Sequence, residues 1–145
     1  MKALIQRVKN ASVTIESEIY SSINSGMLIL LGVEKQDELE NARQLADKLV
    51  NLRIFDDENG KMNKSILDVN GEILVVSQFT LAGDCKKGTR PSFDKAADAE
   101  KAKKLYEDFV KIISQHELTV KTGQFQAMMD VSLVNQGPVT FLIEK

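Results

Sequence analysis

Residues 27–33 read MLILLGV, the longest apolar run in the chain. Whether this run is strand or helix decides the fold class. It has the length of a strand, and it is far short of the roughly 20 residues that span a bilayer. Asn24-Ser25-Gly26 stands before it as a turn signal, and Asp37 follows as a candidate helix cap. The run therefore reads as a buried strand. Ile73–Val76, inside GEILVVSQFTL, reads the same way.

Upstream, Leu4–Val8 and Ser12–Glu16 read as strands parted by a Lys-Asn turn, and Glu18–Ile23 as a third. Downstream, Asp37 is placed to cap a helix from Glu38 to about Asn51. Leu39, Ala42, Leu45, Ala46, Leu49 and Val50 share one face of that helix. DDENGK reads as a loop. A second helix is predicted from about Lys95 to Gln115, with Ala99, Ala102, Leu105, Tyr106, Phe109, Ile112 and Ile113 on its buried side. Leu118–Lys121 reads as a short strand. At the end, Val131–Val134 and Val139–Ile143 read as a last pair of strands around Asn135-Gln136-Gly137-Pro138. A plain hairpin there would favour Asn-Gly or Asp-Gly, so the Gly-Pro is unusual. Strands outnumber helices and the two helices lie far apart. The expected fold is α+β: a curved or barrel-like sheet covered by two main helices, in one domain over residues 1–145.

The chain has 145 residues, 43% hydrophobic and 28% charged, with a net charge of -2. That length buries enough surface to fold without staples. The acidic balance argues against a broad duplex-binding face, which neutralises many phosphates. It leaves room for a short single-stranded end, where two or three cations are enough. Cys85 is the only cysteine, so there is no internal disulfide or structural zinc set, which fits a reducing cytosol. The N-terminal stretch carries Arg7 and Lys9 within its apolar residues and does not read as a signal peptide.

The usual catalytic patterns are missing. His116 is the only histidine and follows a predicted helix, where a cation near the C-terminus is its ordinary role. Cys85 among Asp84, Lys86 and Lys87 reads as a surface thiol. No His pair sits at metal-ligand spacing, and no GxGxxG or phosphate loop occurs. Ser77-Gln78-Phe79-Thr80 remains, directly after a buried strand. One reading is the polar end of that strand with Phe79 in the core. The other has the main-chain N–H groups of Gln78 and Phe79 holding an oxyanion, each such donor being worth about 10²–10³ in rate. In that second reading Ser77 or Thr80 serves as a nucleophile or orients water, although Thr80 has no evident base. Gly137-Pro138, judged locally, is a trans turn, since cis bonds are only about 5–6% of X-Pro bonds. Lys86-Lys87-Gly88-Thr89-Arg90 is the densest basic patch. It is either a solvated loop or a contact for a few phosphates.

SQFTL at 77–81 and NQGPVT at 135–140, in this order, resemble the D-aminoacyl-tRNA deacylases, also called D-tyrosyl-tRNA deacylases. QRV near the start, LLGVEK at 30–35, RIF…GKMN at 53–63, GDCKKGTRPSF at 83–93 and VSLVN at 131–135 extend the resemblance over the whole chain. It implies a cytoplasmic homodimer of barrel-like protomers that hydrolyses the ester between a D-amino acid and the 3′-terminal adenosine of tRNA. It implies no cofactor, no metal and no membrane. Ser77, Gln78, Phe79 and Thr80 would line the catalytic pocket. Phe79 would stack on the adenine, and Thr80 would be either the nucleophile or a support for water assisted by the terminal ribose. Met129 would wall the pocket. Gly137-Pro138 would be cis and would enter the partner's site to exclude L-amino acids, leaving glycine hard to reject. Arg7 would pin that loop or meet a phosphate. Gln136 departs from the Asp common in this family, which puts in doubt a salt bridge steadying the loop.

Overall fold

The computed structural model describes residues 1–145. Its spine is β1 (Lys2–Ile15), paired along its length with β8 (Asp130–Glu144) from Lys2↔Glu144 to Thr14↔Asp130. On its other edge the first half of β1 pairs with β3 (Gly26–Gly32), and the second half with β2 (Glu18–Ile23). β3 runs parallel to β6 (Glu72–Ser77), and β6 parallel to β7 (Val120–Thr122). The sheet thus runs β2-β1-β3-β6-β7, with β8 against β1. Its ends come round to meet, where the Ser21 hydroxyl donates to the Thr122 carbonyl at 2.8 Å. The mixed sheet is nearly closed, and α1 (Leu39–Val50) and α2 (Ala99–Ser114) cover one face. A small ribbon of β4 (Phe55–Asp56) and β5 (Met62–Lys64) carries the expected DDENGK loop at its tip.

Alternation along the strands sorts the core. Met27, Ile29 and Leu31 of β3 and Ile73 and Val75 of β6 face the helices, among Leu45, Leu49, Phe109 and Ile113. Leu28, Leu74 and Val76 face the other way, with Val8, Ala11 and Val13 of β1. Both faces of β3 and β6 are covered, so their sequences are continuous apolar runs rather than alternating ones. Each fully buried side chain of this size contributes about 1.5–3 kcal/mol. The Tyr106 hydroxyl of α2 donates to the Val75 carbonyl at 2.8 Å, tying the helix to the strand that leads into the candidate site. Burial pushes the ionisation of that hydroxyl up from 10.0.

Four expectations are corrected. Residues 9 and 10 do not turn the chain. Lys9 and Asn10 lie exposed within one long strand, held there by pairing with β8. The last two runs are likewise one strand and not a hairpin. Gln6 pairs with Thr140 and Val8 with Asn135, so residues 136–139 stand opposite Arg7 alone as a wide bulge. Asp37 does not cap α1. Glu38 is the N-cap, with its N–H bonded to the Asn41 side chain at 2.8 Å. Asp37 instead accepts from the Glu34 N–H at 2.7 Å and pairs with the buried Met1 ammonium at 2.5 Å. Finally, α2 begins at Ala99, after Asp98, whose side chain accepts from Lys101 N–H at 2.9 Å. Lys95 lies before the helix because its carbonyl is taken by the Lys35 N–H.

Candidate active site

Ser77 ends β6, opposite Leu31 of β3. The parallel register extends one bond further: the Gln78 N–H donates to the Leu31 carbonyl at 2.7 Å. The chain then turns into a single 3₁₀ turn, Phe79–Ala82, closed by Leu81 N–H to Gln78 O at 3.2 Å. Gly32 makes this turn possible. A Cβ at position 32 would lie 2.9 Å from the Leu81 Cβ and 3.0 Å from the Gln78 carbonyl oxygen.

This geometry corrects one expected donor. The Gln78 N–H is committed to the sheet and is not free for an oxyanion. The N–H groups of Phe79 and Thr80, at the start of the 3₁₀ turn, have no partner within the chain. Gln78 contributes through its side chain, whose amide donates to the Thr80 hydroxyl at 2.5 Å. Phe79 is not a core residue. It is 56% exposed, with its ring 5.1 Å from that of Phe93 and tilted by 54°.

Beside the turn lies a cavity of about 640 Å³. Ser77, Gln78, Phe79 and Met129 line it with Phe125 and Val131, whereas Thr80, expected beside them, is not among its lining residues. The segment 123–129 supplies much of its wall. Gly123 lets Met129 in, since a Cβ there would stand 2.7 Å from the Met129 sulfur. Phe125 and this segment, apart from Met129, escaped the sequence reading. Their one signal was GQFQAMM, an apolar-rich stretch without the period of a strand or helix. No acid, base, histidine or cysteine lines the cavity. His116 lies elsewhere, with its Nε2 4.0 Å from Asp47 of α1. The cavity therefore offers Phe79 with its free N–H, Ser77, Gln78 and apolar walls, with the Thr80 hydroxyl on the adjoining 3₁₀ turn and no side chain able to act as a general base. That is a site for stabilising an oxyanion rather than for activating a side-chain nucleophile.

Gly137 and Pro138 are exposed on the β8 bulge and do not line this cavity. Their peptide bond is cis, where the local base rate pointed to trans. The bulge is held at its neck. The Asn135 amide donates to Arg7 O at 3.2 Å and to Val139 O at 3.0 Å, and Arg7 Nε donates to Gln136 O at 3.3 Å. Arg7 is 5% exposed, with Nη1 on Ile54 O at 2.7 Å and on Asp56 at 3.0 Å. It pins the bulge and is too buried to meet a phosphate. The ion pair at the loop runs from Arg7 to Asp56, and Gln136 is held through its main-chain carbonyl, so the bulge is tied without an acid at position 136. Within one chain the two groups of expected residues form separate sites.

The sequence profile of D-Tyr-tRNA(Tyr) deacylase matches residues 4–144. The chain belongs to that family. As a member of the D-Tyr-tRNA(Tyr) deacylase family it is a hydrolase. It is 58% identical over 144 residues to the D-aminoacyl-tRNA deacylase of Thermosipho africanus, covering 99% of this chain and 97% of the relative. It is 57% identical over 143 residues to that of Thermodesulfovibrio yellowstonii, covering 99% and 98%. Among solved structures it resembles the c-Myc DNA Unwinding Element Binding Protein, with a TM-score of 0.94 and 42% identity over 100% of this chain and 99% of that one. A probable eukaryotic D-amino acid tRNA deacylase shares the fold, with a TM-score of 0.88 at 14% identity over 99% and 98% of the chains. The family and these structures bear out the expected barrel-like sheet with two helices. No helix is long and apolar enough to cross a membrane.

Proposed function

We propose that this chain hydrolyses the ester joining a D-amino acid to the 3′-terminal adenosine of tRNA, releasing the free amino acid and the tRNA. Family membership supports the activity. The observation that carries the mechanism is a cavity lined by Phe79, whose main-chain N–H has no partner within the chain, and by no titratable side chain. Water attacks the ester carbonyl carbon, and the oxygen that becomes negative is met by the Phe79 and Thr80 N–H groups. The carbon–oxygen ester bond then breaks and the departing ribose oxygen takes the proton. The neighbouring ribose hydroxyl orients the water and passes its proton, a task that no side chain of the cavity can perform. Phe79, exposed at the rim, stacks on the adenine.

The handedness filter is part of the same proposal. In a homodimer, the carbonyl oxygens of Gly137 and Pro138 on one subunit enter the other subunit's cavity and receive the substrate ammonium. They crowd the side from which an L side chain projects. Glycine has nothing to clash, so glycyl-tRNA is a substrate as well. All 145 residues act as one unit, in the cytoplasm, where charged tRNA is found. In the test, purified protein is offered tRNA charged with D- or L-tyrosine. Release of D-tyrosine with L-tyrosyl-tRNA spared is expected, and equal rates would remove the filter.

The likeness to a protein named for binding a DNA unwinding element raises a second reading, a nucleic-acid-binding module without catalysis. Retention on duplex DNA at physiological salt, with no deacylation, would favour it. The net charge of -2 speaks against it.

A further inference from the structure

Between the 3₁₀ turn and α2 the chain makes a loop that the catalytic reading does not use. Its neck is an antiparallel bridge: Asp84 N–H donates to Ser92 O at 2.8 Å, and Ser92 N–H to Asp84 O at 3.0 Å. Gly88, at φ 67 with open space where a Cβ would stand, forms the tip. Lys86, Lys87 and Arg90 project from this tip, and Lys95 follows at its base, all of them exposed. They enclose a shallow hollow of about 370 Å³ with no hydrophobic lining.

Two features separate this loop from an ordinary charged surface. Four cations, Lys86, Lys87, Arg90 and Lys95, gather at one hollow, and none of them is in an ion pair. The hollow also holds two carboxylates, Asp84, which accepts from the Lys86 main-chain N–H at 2.9 Å, and Asp94, so its cations outnumber its acids by four to two. A chain of net charge -2 thus keeps one hollow with a net positive balance. The patch is also fixed in position relative to the cavity. Phe93, next to the neck residue Ser92, lies 5.1 Å from the Phe79 ring. Gly83, which opens the loop, donates to Thr80 O at 3.0 Å.

We infer that Lys86, Lys87 and Arg90, with Lys95, bind the phosphodiester backbone of the nucleotides preceding the terminal adenosine of an RNA substrate. The inference rests on the deacylase reading and gives it a second contact surface. Phosphates position a nucleic acid without reading its sequence, so this surface serves any acceptor end brought to the cavity. An acidic protein needs such a patch because its remaining field repels RNA.

The test compares two substrates that share the ester, D-tyrosyl-tRNA and D-tyrosyl-adenosine. The second lacks the preceding phosphates. The triple variant Lys86→Gln, Lys87→Gln, Arg90→Gln is measured on both at several salt concentrations. For three phosphate contacts to a single strand, the slope of log kcat/KM against log salt on tRNA becomes shallower by about 2. Wild-type kcat/KM on tRNA falls about 20-fold from 50 to 200 mM salt through these contacts alone. Cleavage of D-tyrosyl-adenosine is unchanged, and the charge-preserving variant Lys86→Arg, Lys87→Arg, Arg90→Lys restores the tRNA rate. An unaltered slope on tRNA, or an equal loss on both substrates, overturns the inference while leaving the deacylase reading intact. Wild-type protein that cleaves neither ester overturns both.

Discussion

Thr80 carries the family's proposed nucleophile, and its surroundings argue against that role. Its hydroxyl accepts from the Gln78 amide at 2.5 Å, and an amide N–H cannot take a proton from it. No histidine or carboxylate lines the cavity. Thr80→Ala is therefore expected to lower kcat by no more than about 10-fold, because the donors that matter are main-chain N–H groups, which the substitution keeps. A covalent nucleophile would lose roughly 10⁴-fold or more, and acyl-enzyme would be trapped in rapid-quench experiments. Phe79 differs, because its ring is the contact. Phe79→Ala is expected to raise KM for D-tyrosyl-tRNA about 5–150-fold, the equivalent of 1–3 kcal/mol of lost stacking, with kcat nearly kept. An unchanged KM would remove the adenine from that ring. Part of this was legible: Ser77-Gln78-Phe79-Thr80 follows a buried strand, a pattern that left a plain strand end open, and the family resemblance singled the stretch out. The choice of donors was not legible, since it depends on the register that gives the Gln78 N–H to Leu31.

Elements explain why the site is rigid. β3 and β6 run side by side in the core, and the 3₁₀ turn is pressed onto the end of β3 at Gly32. Adding a methyl there forces the Leu81 side chain or the Gln78 carbonyl to move, since both lie at about 3 Å from the new carbon. Gly32→Ala is expected to cost about 1–3 kcal/mol in denaturant unfolding and to reduce kcat by displacing the Phe79 and Thr80 N–H groups. Full activity with lowered stability would mean that the turn tolerates the shift. Strand and helix type were legible from apolar periodicity, as in MLILLGV and the two amphipathic helices. Lys9-Asn10 and Asn135-Gln136-Gly137-Pro138 misled because turn chemistry is local. In both places, pairing between β1 and β8 keeps the chain extended, and the turn residues become surface positions or a bulge. No sequence window holds both partners of that pairing.

At the scale of the whole molecule, the separation of the two residue groups becomes an argument for assembly. Gly137 has space within its own chain. The nearest atom to an added Cβ is Asn135 Oδ1 at 3.4 Å, and Arg7 holds the bulge from beneath. Gly137→Ala should therefore fold with wild-type stability, and any loss of deacylation must come from a contact outside the chain. The bulge lies away from the cavity of its own chain, so under the proposed homodimer that contact is with a partner's cavity. Mixing tests this directly. Subunits carrying Phe79→Ala are weakened about 5–150-fold at low substrate through their own cavity, and subunits carrying Gly137→Ala disable only their partner's. In a heterodimer, one of the two sites then joins an intact cavity to an intact bulge. Unfolding and refolding an equal mixture is expected to recover about a quarter of wild-type activity, because half of the dimers are mixed and each has one competent site. A mixture no more active than the average of its parents would mean that the bulge serves its own chain's site or none, and the cross-subunit filter would fall with it.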